Sequence, residues 1–170
     1  MIAFALMILP AEWVLCWILA AGIHEVSHYI ALLLCKVEVY EIRVGPFGAQ
    51  IQTACMTLRN EAGCAAAGPL GGALLIVLYG VLPELAICAA IQSVYNLLPI
   101  PTMDGGRILN ALLIYRLGEK RGKDAARWIA AITVVCFPVL GLYLWLVMRK
   151  GTVLFVAMSL LAIKSARKIT

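Results

Sequence analysis

The sequence predicts an all-α polytopic membrane protein with about five transmembrane helices and a small membrane-associated β-hairpin after the first long span. Two observations favour this class. The 170 residues are 64% hydrophobic and only 14% charged, with a mean hydropathy of +0.97, whereas a soluble domain is typically about half apolar. The apolar residues also lie in long runs, and a spanning helix needs about 20 residues. We expect a single domain over residues 1–170.

The apolar runs place the expected elements along the chain. Residues 1–10 form a short apolar lead that ends at Pro10 and is too short to span a bilayer. The third span is expected to be interrupted by Pro99 and Pro101, because proline cannot supply a helical N–H. We expect bends in the fourth span at Pro138 and Gly141, a turn at residues 83–84, and a basic loop over residues 116–127. The five expected spans cover residues 11–35, 61–80, 85–117, 128–147 and 152–163.

Residues 37–53 differ from the apolar runs around them. Valine and isoleucine are mixed with charged residues up to Arg43, and the string Gly45-Pro46-Phe47-Gly48 follows. Short β-rich runs around a Gly/Pro turn are typical of a hairpin. The alternative is an unstructured loop. A hairpin here would offer the free edge of a strand to an extended peptide.

Charge and cysteine content indicate the orientation of the chain and which partners and cysteine sites are not expected. The net charge of +5 comes from basic residues in the short connections between spans, so it does not predict a nucleic-acid partner. The bias of Lys and Arg toward one side favours an N-terminus outside and a C-terminus in the cytoplasm. The six cysteines show no C-x-x-C spacing, and we expect neither a disulfide framework nor a cysteine metal site.

The most informative motif lies in the first long span. The string His24-Glu25-Val26-Ser27-His28 reads H-E-x-x-H and contains both histidines of the chain. Positions i and i+4 share one face of a helix, so the two imidazoles can bind one metal ion, and Glu25 is placed to act as a base on water. The alternative is a chance match on a soluble helix, but ionisable residues inside a membrane span are rare and usually functional.

Two histidines leave a catalytic metal one ligand short, since such a site usually has three protein ligands and one open position. Asp104 is the one acidic residue apart from Glu25 that lies away from the ends of an expected span, and it follows the two interrupting prolines. We therefore favour Asp104 as the third ligand. The alternative is an ion pair with Arg107, three residues further on.

The two motifs together resemble the site-2 protease family of intramembrane zinc metalloproteases. The family pairs H-E-x-x-H with N-x-x-P-x-P-x-x-D-G, which reads here from Asn96 to Gly105. The similarity covers residues 11–117 and is greatest to the branch that includes stage IV sporulation protein FB, with matches at Gly45-Pro46-Phe47-Gly48 and Ala67-Gly68-Pro69-Leu70. It implies a catalytic core over 11–117 and accessory spans over 128–170.

The resemblance also implies roles for individual residues. Zinc would be bound by His24, His28 and Asp104, and Glu25 would be the general base. Asn96 and the loop around it, with Pro99 and Pro101, would help to hold substrate; a helix-packing hydrogen bond is the alternative for Asn96.

The implied activity is hydrolysis of a peptide bond in a membrane-embedded or membrane-associated protein near the cytoplasmic face. It would release a regulatory factor, which is a sporulation sigma-factor precursor if the finer resemblance holds. The expected partners are the membrane-protein substrate, the lipid bilayer and membrane-bound regulators or inhibitors. The expected location is the bacterial cell membrane, or the forespore membrane in the sporulation case. An ion transporter and a metal-binding protein without catalysis are the alternatives, and neither needs a base beside the ion.

Overall fold

The structure of the protein is a computed structural model that describes residues 10–45, 48–54 and 56–148. Residues 1–9 of the expected apolar lead and the whole expected fifth span lie outside these residues. The chain divides into two compact units, Met1–Leu98 and Pro99–Thr170, and the single domain stays a prediction. The elements are α1 (Ala11–Leu34), β1 (Val39–Gly45), β2 (Gly48–Thr53), α2 (Leu58–Leu75), a 3₁₀ helix (Ile76–Gly80), α3 (Pro83–Asn96), α4 (Asp104–Leu117) and α5 (Glu119–Met148).

Helix α1 buries a narrow stripe and exposes the rest of its surface. Ala20, His24, His28 and Leu32 are all buried and are spaced four residues apart, so they lie along one face of the helix. Its 24 residues correspond to a length of about 36 Å. This face packs against α2 and α3 within the first unit.

The exposed surface of α1 is strongly apolar. Leu15, Leu19, Val26 and Leu33 each expose more than half of their surface (55–61%). Two helical stretches in the described part of the chain, Ala11–Leu34 and Leu58–Gly80, are long and apolar enough to cross a membrane. Apolar surface of this extent is unfavourable in water and favourable against lipid.

Helix α1 ends abruptly at a backbone reversal. The N–H of Val37 donates to the carbonyl of Leu32, and the N–H of Lys36 donates to the carbonyl of Leu33, both at 3.0 Å. This is the Schellman pattern, which needs a left-handed residue at the position occupied by Lys36. Lys36 has a φ of 53°, and the chain then enters β1 three residues later.

Strands β1 and β2 pair antiparallel directly after this reversal, from Val39↔Thr53 to Gly45↔Gly48. The register shifts between Val39 and Glu41, which leaves one extra residue in β1, as in a β-bulge. Strand β2 contacts α1. The pair lies in the stretch for which the sequence predicts a hairpin, and its membrane association stays a prediction.

Helix α2 begins three residues before the expected span. The Thr57 hydroxyl accepts a hydrogen bond from the N–H of Asn60 (3.3 Å), which caps the start of the helix. The helix contains Pro69, and the 3₁₀ helix that follows it completes the spanning length. Glycines allow α2 to approach its neighbours: a Cβ at Gly71 would overlap Ser27 of α1, and one at Gly72 would overlap Ser93 of α3.

Helix α3 starts at Pro83, where the sequence predicts a turn. That expectation was wrong because proline is favoured in the first turn of a helix, where its missing N–H needs no partner. The helix ends at Asn96, before Pro99 and Pro101, which confirms the expected interruption.

In the second unit, the connection to α4 folds closely onto the start of that helix. Ile100 is fully buried, and a Cβ at Gly106 would overlap its carbonyl. The N–H of Met103 donates to the carbonyl of Ile100 (2.8 Å). This tight turn places Asp104 as the first residue of α4.

The expected basic loop over residues 116–127 is a second correction, because most of it is helical. Only Gly118, with a φ of 82°, separates α4 from α5. Lys, Arg and Ala are good helix formers, and Lys123 pairs with Glu119 one turn earlier at 2.7 Å. That hydrogen bond lowers the pKa of Glu119.

Helices α4 and α5 come into backbone contact beyond this corner. A Cβ at Gly122 would overlap the backbone of Leu113 and Ile114. Helix α5 then continues through the expected bend points to Met148.

Candidate metal centre

The two histidines of α1 converge on one point in the interior of the first unit. Their Nε2 atoms are 3.1 Å apart, and the rings meet edge to face with centroids 4.7 Å apart. His24 exposes 4% of its surface and His28 exposes 9%. Burying two imidazoles beside each other in an apolar bundle is unfavourable unless their polar atoms have partners.

The carbonyl of Cys64 in α2 fixes which nitrogen of His28 faces the other histidine. His28 Nδ1 lies 2.7 Å from this carbonyl oxygen. A carbonyl only accepts hydrogen bonds, so Nδ1 carries the proton and Nε2 of the neutral ring has a lone pair. An outer partner of this kind is usual for metal-binding histidines, since it sets both the tautomer and the orientation of the ring.

Asn96, at the end of α3, contacts the other histidine. Its Nδ2 lies 3.3 Å from His24 Nε2. The sequence predicts a substrate-binding role for this amide, and that role stays a prediction. The contact shows that the amide reaches the same point as the two imidazoles.

The first unit brings two of the three predicted ligands to one point, and the third, Asp104, is buried as the first residue of α4 in the second unit. Two nitrogens bound to a tetrahedral zinc at 2.0–2.1 Å are about 3.3 Å apart, close to the 3.1 Å between the Nε2 atoms. Nitrogen and carboxylate ligands are also the donor set that zinc prefers, so these residues fit the ion.

The structure also describes the other three residues for which the sequence predicts a catalytic or substrate-binding role. Glu25 is half-buried and follows His24 directly in α1. Pro99 is half-buried and Pro101 is exposed in the connection between α3 and α4. Their predicted roles, as a general base and as part of a substrate-holding loop, stay predictions.

Gly68 of α2 is a site residue whose place the sequence does not reveal. A Cβ at this position would overlap the rings of both His24 and His28. A glycine in an apolar span ordinarily indicates no more than close helix packing. The Gly68-Pro69 pair in the middle of an apolar span was the available signal, because neither residue favours a helix interior.

No protein-family model matches the chain, and no curated protein matches it. Among solved structures, the site-2 protease from Methanocaldococcus jannaschii is similar, with a TM-score of 0.74 and 24% sequence identity. The match covers 98% of this chain and 82% of that chain. At this identity the likeness concerns the fold alone: the chain is folded like a site-2 protease.

Proposed function

We propose that the protein is an intramembrane zinc metalloprotease of the site-2 type. The observation that supports this most strongly is the buried pair of imidazoles with Nε2 atoms 3.1 Å apart. The similarity of the fold and the two apolar helices of membrane-spanning length add support. In this proposal His24, His28 and Asp104 bind the zinc.

A bound zinc ion supplies Lewis acidity to a water molecule and to the scissile carbonyl. Glu25 takes the proton from the attacking water and delivers it to the leaving amine. Its place beside His24, on the helix that carries both imidazoles, puts it within one helical turn of both ligands. The Cys64 carbonyl keeps the proton of His28 on Nδ1 throughout, so that Nε2 stays available.

The substrate of the proposed enzyme is a membrane-embedded or membrane-associated protein. Its chain must be unwound near the site, because the carbonyls of a helix are already hydrogen-bonded within the helix. Asn96 would hold the exposed backbone through its amide, in the loop that includes Pro99 and Pro101. Cleavage would occur near the cytoplasmic face and release a regulatory factor.

The finer assignment to the branch of stage IV sporulation protein FB is part of the proposal. It rests on the motif strings and their spacing. It would make the substrate a sigma-factor precursor and the location the forespore membrane, with membrane-bound regulators or inhibitors as partners.

Two variants test the proposed function. The protein is co-expressed with single-pass membrane substrates, and a shorter product is scored by immunoblot. We expect Glu25→Gln to reduce cleavage by about 10²- to 10⁴-fold, the usual contribution of a general base, with its zinc content unchanged. Asp104→Asn should lose both zinc and cleavage.

The outcome separates the proposed function from its alternatives. A transporter or a metal-binding protein without catalysis yields no Glu25-dependent product with any substrate. Unchanged zinc affinity in Asp104→Asn would remove Asp104 from the ligand set.

A further inference from the structure

We infer that α2 is the positioning element of the metal centre, acting through the Cys64 carbonyl and the missing side chain of Gly68. The inference rests on the proposed function, because it concerns the same two imidazoles. Neither residue is itself a ligand. Both act on His24 and His28 from outside, one by a hydrogen bond and the other by leaving space.

The spacing of the two helices supports this inference. Cys64 and Gly68 are four residues apart on α2, and His24 and His28 are four residues apart on α1. Residues at this spacing lie on one face of a helix, and these two faces meet: the Cys64 carbonyl is 2.7 Å from His28 Nδ1, and Gly68 lies against both rings. One face of α2 therefore contacts both imidazoles.

The two contacts restrict different motions of the rings. The hydrogen bond to Cys64 fixes the tautomer and rotation of His28. The space at Gly68 allows the edges of both rings to approach α2, so that their Nε2 atoms meet at 3.1 Å. An alanine methyl would occupy this space, and the rings would have to rotate away from it.

Such a rotation costs little free energy of folding, but it moves the ligand atoms of the metal site. The atoms that the methyl would meet belong to side chains and not to backbone, so changes of rotamer can relieve the overlap. A metal site tolerates only small errors in ligand position. Gly68→Ala should therefore fold and lose metal affinity.

The same helix provides matched controls. A Cβ at Gly71 would overlap Ser27, which is on α1 but outside the predicted ligand set, and one at Gly63 would meet nothing within 4 Å. Gly71→Ala therefore crowds the α1–α2 interface without touching the imidazoles. Gly63→Ala adds the same methyl without any crowding.

The experiment compares the three alanine variants with the parental protein in detergent. Zinc affinity is measured by competition with a chelator, and the visible spectrum of the cobalt-substituted protein reports the geometry of the ligands. We expect Gly68→Ala to lower zinc affinity by about 10- to 100-fold, as loss of an outer partner usually does, and to alter the cobalt spectrum. Gly63→Ala should match the parental protein in both measurements, and Gly71→Ala, which displaces α1 through Ser27 without meeting either ring, should have a smaller effect than Gly68→Ala.

A second measurement reports the Cys64 contact without metal. The chain has two histidines, so ¹⁵N-histidine NMR of the metal-free protein shows two rings only. We expect one ring in the parental protein to be the Nδ1–H tautomer, and a mixture of tautomers in Gly68→Ala. If Gly68→Ala matches the controls in affinity, spectrum and tautomer, the inference is wrong while the proposed function stands. If the parental protein binds no zinc, the proposed function itself fails.

Discussion

Lys36 carries the clearest backbone strain at the scale of single residues. Among residues 10–45, 48–54 and 56–148 it is the one non-glycine residue with positive φ, at 53°. A side chain in the left-handed region costs roughly 1–2 kcal/mol, because Cβ approaches the following carbonyl oxygen. The Schellman end of α1 requires this conformation, so the strain persists while the reversal is kept.

We expect Lys36→Gly to raise the free energy of unfolding by about 1 kcal/mol, because glycine removes the strain at this position. The gain is less than the full strain, since glycine also loses more entropy on folding. Thermal unfolding in detergent should show a rise of about 2–4 °C for a chain of this size. Lys36→Ala is the control, because it removes the charge and keeps the strain. Equal melting temperatures for the two variants would contradict the interpretation.

The proposed metal ligands can be predicted from the sequence further than the groups that hold them in position can. His24 and His28 follow from helical spacing, and Asp104 follows from the rarity of acids inside spans. The Cys64 carbonyl is a backbone atom, which every residue has, so no residue type identifies it. Gly68 is identified only by the space that it leaves, and that space depends on how α2 packs against α1.

At the scale of elements, the antiparallel pair of β1 and β2 has an outer edge whose polarity follows from one hydrogen bond. The N–H of Ala54 donates to the carbonyl of Glu38 on the β1 side (2.9 Å). Hydrogen-bonding direction alternates along a strand. The N–H groups of Gln52 and Gln50 therefore face β1, and those of Thr53 and Ile51 face the outer edge of β2.

This polarity sharpens a test of substrate capture by strand addition. If an extended substrate pairs with the outer edge of β2, Ile51→Pro removes one main-chain donor to it. We expect cleavage to fall about two- to tenfold, the value of one net hydrogen bond, with normal zinc content. Ile51→Leu keeps the donor and should be mild.

Gln50→Pro provides the contrasting case, because its N–H faces β1 and its loss weakens the hairpin itself. Cleavage is measured with the co-expressed substrate in each variant. If a folded, zinc-loaded Ile51→Pro protein cleaves at the parental rate, strand addition is wrong and the β1–β2 pair only connects α1 to α2.

The positions at which helices begin were predicted wrongly from the sequence for α3 and α5. Apolar runs marked the centres of the spans, but capping and charge decided where helices begin. Pro83 opens α3, and the charged residues from Glu119 onward form the first turns of α5. The charged start of α5 lacks an apolar run, so hydropathy alone assigned it to a loop.

At the scale of the whole molecule, orientation in the membrane is the main prediction. The rule that cytoplasmic connections are rich in Lys and Arg places residues 36–60 and 116–127 inside and residues 81–85 and 148–151 outside. In the described part of the chain, Arg121 is exposed in the first turns of α5, so a label can reach it from whichever side it faces.

Single-cysteine labelling tests this orientation. In a cysteine-free background, Arg121→Cys should resist a membrane-impermeant maleimide in intact cells and react after permeabilisation. A cysteine at position 82, in the connection before α3, is the control that should react in intact cells. Labelling of position 121 from outside would reverse the orientation and the side of the membrane that the proposed site faces.

The backbone contact at Gly122 sets the point about which a tilt of α4 would turn. Helix α5 contacts α4 at Ile114, and Asp104 is the first residue of α4, ten residues away. Ten residues of helix span about 15 Å, so a tilt of about 10° at this point displaces Asp104 by about 2.6 Å. That displacement exceeds the length of a zinc–carboxylate bond, about 2.1 Å. A methyl group at Gly122 that tilted α4 by this amount would move Asp104 by more than one such bond length, although it lies on a different helix from the carboxylate.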